Sequence, residues 1–182
     1  MAAKKKTAKK AATAKTPAKK PAKKAAKKAA KKKVDPIAPG YTAVTPALNM
    51  VDARATIEFC KKAFGAKLQL SMARPDGKLM HAVLSIGGAL LMVSDAIQDA
   101  PRVSSLFLYV PNVDKTVAKA VALGAKVLMP PGDMFWGDRF ARICDPQGNF
   151  WSIGTHIEDV SPAEQKKRGK AEMKRTAAGA GG

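Results

Sequence analysis

Phe64-Gly65-Ala66-Lys67-Leu68 returns as Leu123-Gly124-Ala125-Lys126-Val127, 59 residues further along the chain. The same offset carries Leu48-Asn49-Met50-Val51 onto Phe107-Leu108-Tyr109-Val110. At nearly that spacing, the turn-forming pair Gly87-Gly88 falls opposite Asp145-Pro146-Gln147-Gly148-Asn149. Three matched points of punctuation in one order predict two copies of a unit of about sixty residues.

Each copy reads as a strand, a helix and three further strands. In the first, residues 42–50 are extended, and Asp52 N-caps a helix over 53–64 with Ile57, Cys60 and Phe64 on one face. Gly65 suits the position that closes this helix, while Arg54, Glu58 and Lys62 take its wet face at i, i+4 spacing. Leu68, Leu70 and Met72 alternate along the next strand, and Pro75-Asp76-Gly77 turns the chain. Residues 79–86 and 89–94 then form a hairpin about Gly87-Gly88. The second copy runs through 104–110, then a helix near 113–123 that buries Val113, Val117, Ala120 and Val121. Its strands follow near 126–129, 139–144 and 150–156, with residues 130–137 as an aromatic loop.

Charge divides the chain more sharply than any other property. The formal net charge is +19, yet residues 34–160 hold 12 basic and 12 acidic groups and are neutral. The excess lies at the ends: 15 lysines and no acid in residues 1–33, and six basic against two acidic groups in 161–182. Residues 1–40 read as a disordered Lys/Ala/Pro tail and linker: residues 1–33 lack the apolar side chains needed to offset the entropy of folding, and Asp35, Pro36, Pro39 and Gly40 mark the linker. Residues 41–160 read as the folded domain, with modules 41–100 and 101–160, and 161–182 as a basic polar extension. The extension opens on a capping box, Ser161-Pro162-Ala163-Glu164, and a short helix that Gly169 weakens.

The tail lysines are Lys4, Lys5, Lys6, Lys9, Lys10, Lys15, Lys19, Lys20, Lys23, Lys24, Lys27, Lys28, Lys31, Lys32 and Lys33. Such a polycation binds nucleic acid by releasing condensed counterions, without reading bases. Its cadence resembles the basic tails of linker histones and lysine-rich bacterial nucleoid proteins. With no apolar h-region after Met1, no membrane-spanning run, and only Cys60 and Cys144 for thiols, the expected place is the cytoplasm, in association with the nucleoid. No membrane partner is expected.

A βαβββ unit used twice and ending on Asp145-Pro146-Gln147-Gly148-Asn149 resembles the vicinal-oxygen-chelate superfamily of glyoxalases, bleomycin-resistance proteins and extradiol dioxygenases. Met134-Phe135-Trp136-Gly137-Asp138-Arg139, Trp151-Ser152-Ile153-Gly154-Thr155-His156 and Glu158-Asp159-Val160-Ser161-Pro162 resemble its PhnB-like branch. The resemblance implies an α+β fold of two curved mixed sheets around a groove, commonly as a homodimer. Metal-dependent members draw His or Glu from four strand positions, which correspond here to Thr45, Met92, Ser105 and Ser152. Hydroxyls and a thioether do not replace the water of a divalent ion, so neither metal nor other cofactor is expected.

Asn49, Phe107, Tyr109, Phe135 and Trp136 join Thr45, Met92, Ser105 and Ser152 as candidates to line a groove for a small hydrophobic or aromatic ligand. His81 and His156 are the candidate general bases, although the same residues also suit structural hydrogen bonding. Cys60 reads as core, Asp145 as the organiser of its turn, and Asp138 and Arg139 as a pair or as braces for the aromatic loop. The leading reading is a metal-free PhnB-like binding domain held on nucleic acid by its tail. The alternatives are a glyoxalase-type lyase or isomerase, and a dimerisation platform whose two tails bridge DNA.

Overall fold

The computed structural model of the protein describes residues 36–96 and 101–179. The lysine tail, residues 1–33, and every expectation attached to it lie outside the described residues.

Local chemistry sets the first element boundaries. Asp52 accepts the Ala55 N–H at 2.9 Å and starts helix α1, Ala53–Phe64. Gly65 ends it in the left-handed region, φ 69°, where a side chain is disfavoured, and the Gly65 and Ala66 N–H groups donate to Lys61 and Cys60. Helix α2, Val113–Ala122, starts the same way, with Asn112 accepting the Lys115 N–H at 2.8 Å. The strands are β1 Ala47–Met50, β2 Lys67–Ala73, β3 Leu79–Ile86, β4 Ala89–Asp95, β5 Ser105–Tyr109, β6 Lys126–Asp133, β7 Asp138–Cys144 and β8 Phe150–His156. Helix α3, Pro162–Gly179, closes the described chain.

Two four-stranded mixed sheets result, in the orders β1-β4-β3-β2 and β5-β8-β7-β6. In each, the first strand pairs in parallel with the last and the other pairs are antiparallel, so the chain is α+β with two βαβββ modules. The repeat read from sequence is thus a repeat of topology. One face of each sheet packs on the helices, and α1 and α2 touch one another. A single core runs through both modules, from Leu84, Val93 and Cys60 to Ile143, Trp151 and Ile153. The Phe64 ring, at the end of α1, lies 4.6 Å from Trp151 and links the halves. Among the described residues the two sheets do not approach each other within 8 Å between Cα atoms, and their second faces stay open.

Several boundaries differ from the sequence reading. Residues 42–45 are not strand, because the Thr45 hydroxyl donates to the Thr42 carbonyl at 3.0 Å and folds the chain locally. Strand β6 does not stop at 129 but runs to Asp133 through Pro130 and Pro131. It is an edge strand with register shifts, where prolines without an N–H are tolerated. Val121 is exposed rather than buried, lying outside the stripe of Val113, Val117 and Ala120. Glu58 pairs with Lys61 at 2.6 Å, one residue short of the expected Lys62. The C-terminal helix is not short: it has 18 residues. Only half of its capping box forms, since Ser161 accepts the Glu164 N–H but the Glu164 side chain turns to Arg168. No described helix is long and apolar enough to cross a membrane.

Candidate ligand-binding face

The open face of the second sheet is built by register. Ser105 stands opposite Phe150, and Phe107 opposite Ser152, across the parallel pair β5–β8. The β7–β8 hairpin then sets Cys144 against Phe150, Arg142 against Ser152, Phe140 against Gly154 and Asp138 against His156. Alternation puts all of these on one side, while Trp151, Ile153, Ile143 and Ala141 go to the core. Four expected liners, Ser105, Phe107, Tyr109 and Ser152, are therefore brought together.

Aromatic rings cover this face. Phe107 lies 4.8 Å from Tyr109 and 5.8 Å from Phe140, and Trp136 lies 5.6 Å from Phe140. Gly154 makes room for them, because a Cβ there would meet two Phe107 ring atoms at 3.0 Å. Phe107, in the middle of β5, and Tyr109, at its end, remain 51% and 61% exposed, which is high for rings of this size.

At the end of the face lies a polar cluster. Asp138 is 3% exposed. It accepts from the Tyr109 hydroxyl at 2.9 Å and the Trp136 indole N–H at 3.0 Å, and its other oxygen meets His156 Nδ1 at 2.9 Å. His156 Nε2 meets Asp159 at 3.0 Å. Burial pushes the Asp138 carboxyl up, but the bonds from His156, Tyr109 and Trp136 outweigh it and hold the group below the ordinary aspartate value. Asp159 first, then Asp138, raises the imidazole above its usual value. The hydrogen bond from Tyr109 to Asp138 makes the phenol harder to ionise. Asp138 and Arg139 do not pair. Adjacent on a strand, they face opposite ways: Asp138 braces Trp136, and Arg139 binds Asp114 and Asp133 at 2.7 and 2.8 Å.

The remaining candidates separate. Thr45 and Met92 line a cavity of about 490 Å³ with Pro36, Ile37, Ala38, Tyr41, Thr42 and Ala43, at the first module. Asn49, exposed, accepts from Ser94 at 2.9 Å. His81 sits opposite Met72 on the same sheet and is half-buried. Phe135 lies against α3, where its ring edge would stand 3.1 Å from a Cβ at Gly169. Trp136 belongs to both regions, touching Phe140 on the face and Phe135 beside the helix. Cys60 is core, its thiol pushed up to about 12 by burial and by nearby Asp145. Asp145 organises its turn, accepting from the Gln147 and Asn149 N–H groups and the Trp151 indole.

The four positions that the resemblance assigns to metal ligands carry the hydroxyls of Thr45, Ser105 and Ser152 and the thioether of Met92. Those donors do not fit a metal ion, and no group of three or more His, Cys, Asp or Glu among the described residues could hold one.

Asp138 braces the aromatic loop, one of the two roles expected of it, while its partnership with His156, and that of Asp159, are what the sequence reading missed. The signal was present: a hairpin that pairs Cys144 with Phe150 must pair Asp138 with His156, and so gives that histidine a carboxylate.

Comparisons with known proteins agree with this architecture. The description "Glyoxalase/Bleomycin resistance protein/Dioxygenase superfamily" matches residues 40–153. Uncharacterized protein Rv0887c of Mycobacterium tuberculosis is 34% identical over 137 residues, covering 67% of this chain and 79% of its own. TioX from Micromonospora sp. ML1 has a solved structure with a TM-score of 0.55 at 24% identity, over 64% of this chain and 99% of that one. A PhnB protein from Bacillus cereus gives 0.53 at 18% identity, over 63% and 99%. The two solved structures share the fold with this chain.

Proposed function

Because the chain belongs to the glyoxalase/bleomycin resistance protein/dioxygenase superfamily, we propose that it is a PhnB-like domain that binds a small planar molecule without a metal and is held on nucleic acid by residues 1–33. The observation that carries the binding half is the aromatic face. Phe107, Tyr109, Phe140 and Trp136 form a contiguous ring surface, with Ser105 and Ser152 where a metal-dependent mechanism would place His or Glu. Rings so exposed gain by covering, and stacking against a planar ligand is the most economical cover. Leu70, Met72 and Met129 are also exposed on the open sides of the two sheets, which favours a homodimer that closes a groove over each face.

Metal analysis by mass spectrometry on untagged protein should give far less than one Zn, Ni, Fe or Mn per chain, and EDTA should leave the melting temperature unchanged. One tightly held transition metal per chain would overturn the metal-free reading. A native mass-spectrometric screen of small molecules should then find planar, amphipathic ligands.

A second reading, a lyase or isomerase, is favoured by one observation. The Asp138–His156 contact at 2.9 Å and the Tyr109 hydroxyl on Asp138 place acid–base groups at the edge of the face. In that case turnover would fall in Tyr109→Phe while ligand affinity held.

A further inference from the structure

Arg142 stands in the centre of the aromatic face, in register with Ser152 on β8 and Met129 on β6. Four other arginines are committed to carboxylates, Arg139 to Asp114 and Asp133, Arg168 to Glu158 and Glu164, Arg175 to Glu172 and Arg74 to Asp76, while Arg54 on α1, away from this face, reaches the Gly77 carbonyl at 3.4 Å. Among the described residues Arg142 pairs with no carboxylate, and its guanidinium carbon lies 5.0 Å from the centroid of the Phe150 ring. A guanidinium resting on a ring is oriented by it, and its N–H edge stays free for a bidentate acceptor.

The charge around it points the same way. The two carboxylates at the end of this face are engaged elsewhere: Asp138 is buried and already accepts from three donors, and Asp159 meets His156 at 3.0 Å. Lys126 pairs with Cys144 on the row beside Arg142. An unpaired guanidinium beside a ring surface fits a flat molecule ending in an anion: the ring stacks on Phe107 and Phe140, and the anion takes the fork of Arg142, with Ser152 beside it. Resting on the reading that this face binds a small molecule, we infer that its ligand class is the planar aromatic carboxylates and that Arg142 sets the selection for the charge.

The test compares 2-naphthoate with its neutral isostere 2-naphthamide by titration calorimetry on the full chain and on Arg142→Gln. Because the lysine tail attracts any carboxylate, the variant, which keeps the tail, is the control for it. Wild type should bind naphthoate at least about tenfold more tightly than naphthamide, the range expected for a charge-assisted bidentate pair. Arg142→Gln should bring the two ligands level and leave naphthamide affinity within about threefold, since the rings are untouched. Equal binding of both ligands to wild type would overturn the anion selection and leave the binding face standing. Binding of neither would overturn the binding face as well. A preference that survives in Arg142→Gln would assign the selection to the tail or Lys126, against the inference. So would a variant that changes the oligomeric state in sedimentation and leaves the preference intact, which would make Arg142 an interface residue.

Discussion

Asp138 shows how one side chain can fix several others. A carboxylate 3% exposed needs its charge answered, and Tyr109, Trp136 and His156 answer it from three directions. The titration signs follow from the two shifts. His156 has a folded value above its ordinary 6.5, so its contribution to stability is complete below about that pH and is lost as pH rises through the raised value. Asp138 is held below its ordinary value, so its contribution is complete above that value and is lost as pH falls through the lowered one. Between the two, both groups are charged. An NMR titration of the two histidines, assigned with His156→Ala, should place the His156 midpoint above 6.5. Asp138→Asn should lower that midpoint without abolishing the shift, because Asp159 remains, and should cost about 2 kcal/mol through hydrogen bonds formerly made to a charge. A wild-type midpoint at or below the ordinary value would remove the cluster from the solution structure.

Elements were legible where their causes are local and opaque where they are tertiary. The caps Asp52 and Gly65 bounded α1 correctly because capping involves neighbours in sequence, and the β7–β8 hairpin followed from its turn. Helix α3 was misread for the opposite reason. By propensity Gly169 weakens a helix, but here it is the point where the Phe135 ring reaches the helix backbone. The rest of the attachment is also tertiary: Arg168 binds both oxygens of Glu158 at 2.8 Å, and the Gln165 amide reaches the Trp136 carbonyl at 3.4 Å. Gly137 completes it, since a Cβ there would collide with the Glu158 carbonyl oxygen, whose backbone N–H donates to Gly137. A sign reversal separates a docked helix from a merely solvated one. In a solvated helix, Gly169→Ala and Gly169→Leu should each stabilise by up to about 1 kcal/mol through better helix propensity. In the docked helix, alanine should be near neutral and leucine should cost about 1–3 kcal/mol by pushing α3 off Phe135. Thermal melts of both variants decide it, and a leucine variant more stable than wild type would mean that the helix does not dock.

At the scale of the whole molecule, the separation of charge from fold makes the proposed nucleic-acid binding open to a quantitative test. Residues 34–160 are neutral, so a duplex should be attracted by the ends of the chain and not by the aromatic face. Fifteen lysines in residues 1–33 lie on a segment with a maximum contour of about 110 Å at roughly 3.3 Å per residue, long enough to follow several phosphates. If about 8 of them neutralise phosphates, log affinity should fall against log salt with a slope near −7, and binding should fade above physiological salt. Truncation of residues 1–33 does not remove every cation, because Lys166, Lys170 and Lys174 share one side of α3. Three phosphate contacts there would leave a slope no steeper than about −3, with weak affinity. A homodimer would carry two tails and bind more tightly at equal salt through effective concentration, without changing the slope per tail, so sedimentation belongs in the same experiment. The measurement is a salt titration of full-length and truncated protein on two unrelated duplexes. Equal affinities for the two sequences, a steep slope for the full chain and a shallow one after truncation are the expected results. Undiminished binding by the truncated protein, or a preference for one duplex, would show that part of the folded domain reads the nucleic acid, and the aromatic face with its free arginine would be the first place to look.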